Sequence, residues 1–174
     1  MTTDFASLFT SFQRSAFRLE IRDRYNVPEE TEPFRLFLQG RVPDPSWTRE
    51  WTQVVSANTS AGKVMRRVRL VREPLSDYLR FELSCGYPNN VTAGEQIAVL
   101  VVQSDPPQLP AHDFWLFDDS AVGVMSYDDG GHFLGVQVVT EPQAVARYCR
   151  SRDLALELAM PYSQYIQYVT TVSS

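Results

Sequence analysis

Few side chains in this sequence are suited to nucleophilic or acid–base chemistry. It contains two cysteines and two histidines, His112 and His132. A serine or cysteine nucleophile needs a histidine held by a third group, and no G-x-S-x-G elbow precedes either histidine. Neither H-E-x-x-H nor C-x-x-C spacing occurs, and the paired aspartates at 118–119 and 128–129 have the surroundings of turns. The sequence therefore predicts no catalytic set, no metal site and no cofactor.

One pattern concerns phosphodiester chemistry. His112, Phe114 and Asp119 fall at the offsets of an H-x-K-x-x-x-x-D motif, and here the sequence resembles the phospholipase D superfamily. Ser126 lies roughly where that superfamily places a second polar residue. Phe114 occupies the lysine position, so the cation that would neutralise a phosphodiester oxygen in the transition state is missing. The resemblance implies an inactive relative that keeps half of the scaffold.

The densest positive patch lies in the segment 63–72 and includes Arg66, Arg67 and Arg69. Strand alternation would divide these residues between two faces. The chain is acidic, with a net charge of -5 and a pI of about 5.0, and residues 81–146 contain nine acids but no Lys or Arg. We therefore expect the arginines to pair with acids of 81–146 inside one fold, and we expect no direct binding of nucleic acid.

The elements that must position these residues are strands and helices in alternation. Helical spacing and capping residues predict helices that begin near positions 5, 29, 47, 77, 142 and 161. Alternation and β-branched runs predict strands near 15–23, 63–72, 96–103, 113–118, 121–127 and 132–139. The segment 75–90 is ambiguous, since its apolar residues also fit the start of a strand. The expected fold is α/β or α+β: one domain over 1–174 whose mixed sheet is covered by helices, with a C-terminal β-meander followed by helices.

Composition excludes several classes of protein. With 174 residues, 44% of them hydrophobic, the chain is long enough for a core that needs neither disulfides nor metal. No apolar run approaches the roughly 20 residues of a membrane helix. The first twelve residues lack the basic start of a signal peptide, and two cysteines are too few for a disulfide framework. We expect a cytoplasmic protein that does not bind membranes.

Several sequence blocks together resemble an uncharacterised family of small actinobacterial proteins that carry a domain of unknown function. The blocks are F-x-x-L-F at 5–9, the run from G-K to R-F-E at 62–82, AGEQI at 93–97, DFWLFDD at 113–119, and the segment 145–166. Members are similar to proteins found near helix-turn-helix regulators in Streptomyces-like genomes. The resemblance implies a regulatory role and no reaction.

The first functional hypothesis is a non-enzymatic interaction module that docks on a helix-turn-helix regulator. The acidic 81–146 surface would steer a basic partner, and exposed aromatic residues would supply affinity. The large rings fill a core or form such a patch: Trp47, Trp51, Phe114, Trp115 and Phe117. Strand edges and aromatic patches also favour self-association, so a homodimer is a further expectation.

The alternative hypothesis is a small-molecule binder or an enzyme that acts on an anionic, phosphorylated or similar substrate. Its pocket would be built from Arg66, Arg67, Arg69, Tyr78, Arg80 and Glu82, near Trp115 and Asp118. A deep concave site where arginines and His112 converge would favour this alternative. A flat apolar patch beside an acidic surface would favour docking.

Overall fold

Seven strands form one mixed sheet in the residues described by the structure, a computed structural model that covers 4–104, 106 and 108–172. The strands lie in the order β6-β5-β4-β1-β2-β3-β7. Their bounds are β1 Ser15–Glu20, β2 Val64–Val71, β3 Gln96–Val101, β4 Phe114–Phe117, β5 Ala121–Tyr127, β6 Phe133–Val139 and β7 Met160–Pro161. The mixed α/β fold is therefore confirmed, and the six predicted strands are all present.

The sheet combines a parallel centre with an antiparallel meander. Strands β1, β2 and β3 are parallel, whereas β4 pairs antiparallel with β1 and continues through β5 to β6. The two-residue β7 pairs antiparallel with β3 and was not predicted, because so short a strand has no alternation of its own. The predicted C-terminal meander is thus confirmed, and it is followed by helices.

Helices cover both faces of the sheet. They are α1 Phe5–Ser11, α2 Thr31–Leu38, α3 Arg49–Ser60, α4 Asp77–Phe81, α5 Tyr87–Thr92, α6 Pro142–Leu158 and α7 Tyr162–Val172, with 3₁₀ turns at Pro28–Glu30 and Pro45–Thr48. Side-chain caps fix several starts: Asp4 accepts from Ala6 N, and Glu141 accepts from the backbone at the start of α6. None of the helices described here combines the length and apolarity that a membrane span needs.

The ambiguous segment 75–90 is helical. Ser76 caps α4 by accepting from Leu79 N, and one turn of π-helix, Glu82–Gly86, joins α4 to α5. Gly86 lies against the Trp47 ring, since a Cβ atom there would come within 3.2 Å of Trp47 Cη2. The wider turn therefore lets an indole ring pack directly on the helix backbone.

The two faces of the sheet differ in chemistry because side chains alternate along each strand. One face, here called the apolar face, packs Phe17, Leu19 and Leu70 beneath α6. The opposite face, here called the charged face, carries Arg18 and Arg67 at its centre and lies beneath α1, α3, α4, α5 and α7. Charged residues at alternate positions of central strands are unusual, and they direct attention to what lies above them.

Candidate functional site

A cavity of about 1290 Å³ lies over the charged face. Side chains from α1, α3, the segment 25–30, the π-helix and β5 surround it. Pockets that hold small organic ligands commonly measure roughly 300–1,000 Å³, so this one is large enough for such a ligand.

A network of buried charged groups, here called the ion cluster, forms the floor of the cavity through Arg18, Glu20, Arg67 and Glu82 and extends beneath it. It consists of Arg18, Glu20, Arg67, Arg69, Glu82, Glu95 and Asp113. Arg67 donates from Nη1 to Glu20 at 2.7 Å and from Nε to Glu95 at 2.8 Å. Arg18 donates from Nη2 to Asp113 at 2.9 Å. Because the ionised side chains are almost completely buried, removing Glu20, Glu95 or Asp113 would leave an arginine uncompensated.

Strand register explains why these charges meet. Arg18 of β1 lies opposite Arg67 of β2, and Glu20 lies opposite Arg69 two residues further on. Asp113 and Glu95 immediately precede β4 and β3, the strands that flank the central pair β1 and β2, so they reach the same face from either side of that pair. The ion cluster is thus assembled from the central strands and their entry points.

Hydroxyl and indole groups complete the hydrogen bonding of the three acids. Tyr25 donates to Asp113 at 2.5 Å, Tyr87 donates to Glu20 at 2.8 Å, and Trp51 Nε1 donates to Glu95 at 3.1 Å. Burial disfavours the charged form of Glu20, but the guanidinium groups of Arg67 and Arg18 outweigh it and hold its pKa at about 2. The Glu20 carboxylate therefore stays ionised at neutral pH and bridges two arginines.

Two other carboxyl groups at the cavity have the opposite behaviour. Burial raises the pKa of Glu82 to about 8 against the opposing effect of Arg69, which lies 3.0 Å away, and nearby Glu20 and Glu30 contribute to the rise. Burial also raises the pKa of Glu30 to about 7, although Glu30 accepts a hydrogen bond from Tyr78 at 2.6 Å. These two groups bind protons near neutral pH, where ordinary glutamates do not.

Aromatic rings form much of the cavity wall. They come from helices, turns and the meander: Phe9, Trp47, Trp51, Tyr78, Tyr87 and Phe133. Trp51 and Tyr87 also face the Arg67 guanidinium, at 5.8 and 5.6 Å from the ring centroids. The cavity therefore offers a charged floor and apolar walls that suit a ligand with a flat apolar body.

Four of the predicted binding residues come together here. Arg67, Tyr78 and Glu82 line the cavity, and Arg69 lies fully buried beside Glu82. Trp115 packs on the same face, with the Arg18 guanidinium 5.6 Å from its ring. The expected pairing of arginines with acids of 81–146 is confirmed by Arg67 with Glu95 and Arg69 with Glu82.

Two predicted residues, Arg66 and Arg80, are exposed and do not line the cavity. Arg66 points away from the charged face and donates to Gln96 at 3.0 Å. Arg80 is exposed on α4 and pairs with Asp77 at 3.1 Å. Alternation on a strand and helical rotation on α4 turn both side chains away from the cavity, so their predicted placement in the pocket is wrong.

His112 and Asp118 also do not converge on the cavity. His112 lies on the opposite side and makes a 2.9 Å hydrogen bond with the Tyr148 hydroxyl of α6. Asp118, in the turn after β4, accepts from the backbone N–H groups of residues 13–15. The residues at the phospholipase D-type offsets are likewise structural, since Phe114 is buried beneath α6 and Asp119 pairs with Arg152.

Sequence reasoning missed half of the ion cluster. Arg18 and Glu20 look like the solvent side of an amphipathic strand, yet they are 4% and 6% exposed. A signal was available: β2 also carries arginines at alternate positions, and two neighbouring central strands with charges in the same phase indicate a buried ionic layer. Among the described residues, no cluster of His, Cys, Asp and Glu is arranged to hold a metal ion.

The fold is similar to that of a phospholipase D family member of known structure. A phospholipase D family member, Nuc from Salmonella typhimurium, aligns with a TM-score of 0.53 at 10% identity, covering 90% of this chain and 86% of that one. NucT from Helicobacter pylori aligns with a TM-score of 0.49 at 10% identity, covering 89% and 86%. At this identity the likeness to Nuc shows the fold alone.

Sequence comparison gives a family but no activity. No curated protein matches the chain. The family model described as a domain of unknown function, DUF6879, matches residues 3–167, so the chain belongs to this family.

Proposed function

We propose that this protein is a non-enzymatic regulatory module that binds a small molecule in the cavity over the charged face. The observation that carries the proposal is the cavity itself, about 1290 Å³ with an ionic floor and aromatic walls. A deep concave site containing arginines is the feature that distinguishes the small-molecule hypothesis from docking on a flat patch. His112 does not join the site, so the support comes from the arginines alone.

The arrangement of groups favours binding over bond chemistry. The described residues that line the cavity include neither histidine nor cysteine. Glu20, Glu95 and Asp113 each accept from an arginine and a second donor, so their oxygens serve the ion cluster. Carboxylates held in this way orient the floor of a site, whereas a catalytic base must reach a substrate proton.

A substitution at the rim of the cavity tests the proposal. Ala57 of α3 is exposed and lines the cavity, whereas its exposed neighbour Ser56 does not line it. We expect Ala57→Trp to narrow the opening and to weaken binding of an uncharged aromatic probe, 2-naphthol, by roughly fivefold or more, which corresponds to about 1 kcal/mol. Isothermal titration calorimetry measures the affinity.

Ser56→Trp is the matched control, because it adds the same ring one residue away on the same helix. It should bind 2-naphthol as the unmodified protein does. Equal affinities for the two variants, or no binding of 2-naphthol by the unmodified protein, would contradict a ligand site in this cavity.

Docking on a helix-turn-helix regulator stays a prediction, as do a homodimer, an actinobacterial source and a cytoplasmic location. The structure changes the surface expected for docking. Of the nine acids in 81–146, Glu82, Glu95 and Asp113 are buried in the ion cluster, so the surface is less acidic than the sequence suggests. In this proposal, ligand binding in the cavity would be the signal that docking transmits.

A further inference from the structure

Arg67 has an unused hydrogen-bond donor at the floor of the cavity. Its Nε and Nη1 donate to Glu95 and Glu20, and its second amino group, Nη2, makes no hydrogen bond with any described residue. The side chain is 9% exposed, and it lines the cavity. The exposed part of this guanidinium therefore faces the space that a ligand would occupy.

Other free groups at the cavity are also donors. Tyr127 accepts from Arg18 Nη2 at 3.0 Å, and within the described chain its own O–H has no acceptor. Trp47 Nε1 is buried and lacks an acceptor among the same residues. By contrast, the oxygens of Glu20 and Glu95 are already occupied by protein donors. Glu82 Oε2 also lacks a hydrogen-bond partner among the described residues, but with a pKa of about 8 this carboxyl carries a proton at neutral pH and can itself donate. The unmet demand is thus mainly for an acceptor, and a guanidinium satisfies that demand most strongly with a carboxylate.

We propose that the cavity binds an aromatic carboxylic acid in its ionised form, with the carboxylate accepting from Arg67 and the ring lying among the tryptophan and tyrosine side chains. This inference rests on the proposed function and assigns the chemical class of its ligand. Trp51 and Tyr87, which already face the Arg67 guanidinium, would contact the ring next to the carboxylate.

The charges of the ion cluster are compatible with one added anion. Arg18, Arg67 and Arg69 are balanced by Glu20, Glu95 and Asp113, which leaves Glu30 and Glu82 as surplus acids. The titratable groups around these two acids are Tyr78, Tyr87, Glu20, Arg67 and Arg69. If both surplus acids are protonated, the cluster is neutral and tolerates a carboxylate; if they ionise, they repel it.

Proton binding should therefore accompany ligand binding. The pKa values of Glu30 and Glu82 are about 7 and about 8, so both are mainly protonated below this range and ionised above it. A bound carboxylate nearby raises both pKa values further, so binding near pH 7 takes up protons from solution. A bound cation would have the opposite effect and release protons.

Three probes that share one ring system test this inference on the unmodified full chain. They are 2-naphthoate, 2-naphthamide and 2-(aminomethyl)naphthalene, which are anionic, neutral and cationic. We expect 2-naphthoate to bind about tenfold more tightly than the amide near pH 6, and the amine to bind most weakly. The affinity for 2-naphthoate should fall by roughly fivefold or more between about pH 6 and about pH 9, with proton uptake seen by calorimetry in buffers of different ionisation enthalpy.

A conservative variant tests whether the preference for 2-naphthoate depends on a hydrogen-bond donor in the cavity wall. Tyr127→Phe removes one hydroxyl donor, and Arg18 keeps Asp113 as an acceptor. We expect about threefold to tenfold weaker binding of 2-naphthoate and a smaller change for the amine, since the lost group donates to an acceptor. Tyr168→Phe, at an exposed position on α7 outside the cavity, is the control and should change neither affinity.

The outcomes separate this inference from the proposed function. If the amide or the amine binds as tightly as 2-naphthoate, the carboxylate inference is wrong while ligand binding in the cavity stands. An affinity for 2-naphthoate that rises with pH would also overturn it. If none of the three probes binds, both proposals are contradicted.

Discussion

Glu82 holds its proton at neutral pH because the folded chain buries it, which raises its pKa to about 8 from an unfolded value of 4.5. At Glu82 the folded state therefore binds one more proton than the unfolded state between these two pH values. Stability from this group is fully present below the unfolded pKa and is lost as pH rises through the folded pKa. Glu20 behaves in the opposite way, since its pKa of about 2 makes it stabilising above its unfolded pKa.

Replacing Glu82 by glutamine should remove that dependence. We expect Glu82→Gln to have nearly the unfolding free energy of the unmodified protein near pH 5, and to exceed it by roughly 1–3 kcal/mol near pH 9. Urea denaturation at both pH values measures the difference. Glu157→Gln, at an exposed position of α6, is the control. An unchanged slope of stability against pH in Glu82→Gln would show that this carboxyl does not hold the proton.

Individual charges were partly predictable from the sequence. The strand pattern over 63–72 separates Arg67 from Arg66, and the lack of basic residues in 81–146 correctly indicated where the acidic partners lie. The burial of Arg18 and Glu20 was not predicted, because an alternating strand by itself does not show which of its faces meets solvent. Only the position of β1 in the centre of the sheet decides that both faces are covered.

The turn between β4 and β5 is hydrogen-bonded to the segment that connects α1 to β1. Asp118 accepts from the backbone N–H groups of Gln13, Arg14 and Ser15 at 2.6, 2.7 and 2.9 Å, which holds the link between α1 and β1. Its backbone lies in the left-handed region, with φ 51°, where aspartate is tolerated better than alanine. Partial burial opposes ionisation of Asp118, but these hydrogen bonds lower its pKa. The carboxylate is therefore ionised when it accepts from the segment between α1 and β1.

Asp118→Ala should therefore destabilise the protein by about 2 kcal/mol, since charge-assisted hydrogen bonds to three backbone donors are lost. Asp129→Ala is the control: that residue is also in a turn, but it is exposed, and we expect a change within about 0.5 kcal/mol. Urea denaturation measures both. Equal free energies of unfolding for the two variants would mean that the hydrogen bonds of Asp118 do not stabilise the protein.

Long elements were predictable and short ones were not. The strands follow from alternation and β-branched runs, Asp4 and Ser76 cap helices as their residue types indicate, and Pro142 marks the first turn of α6. The π-helix over Glu82–Gly86 has no local signal in the sequence, because a single wider turn inside a helical segment leaves the apolar spacing almost unchanged. That turn brings Glu82 to the cavity, so Glu82 itself was predicted as a site residue but the π-helical geometry that places it there was not.

At the scale of the whole molecule, one sheet joins all the described strands, and α6 and α7 pack against its two faces. We expect thermal unfolding to be a single transition, with coincident midpoints by far-ultraviolet circular dichroism and tryptophan fluorescence. A hundredfold excess of 2-naphthoate over its dissociation constant should raise both midpoints together, by roughly 5 °C or more. Two separate transitions would contradict one domain over 1–174.

The fold and the site lead to different expectations about activity. The likeness to Nuc covers most of both chains, yet at 10% identity it transfers an architecture and no chemistry. At the phospholipase D-type offsets, Phe114 fills the core and His112 binds Tyr148. The cavity over the other face of the sheet is where the arginines and acids of this chain are gathered.

The buried charges also have a consequence for how the chain avoids misassembly. Adjacent side chains on a strand point to opposite faces, so a slip of β2 by one residue would carry Arg67 and Arg69 into the layer beneath α6. There they would lie among buried leucine, valine and phenylalanine side chains, at a penalty far above that of an apolar mismatch. The ion cluster therefore helps to specify the register of the central strands. A shifted pairing would bury unpaired charges, even where the hydrophobic residues of the two strands could still pack.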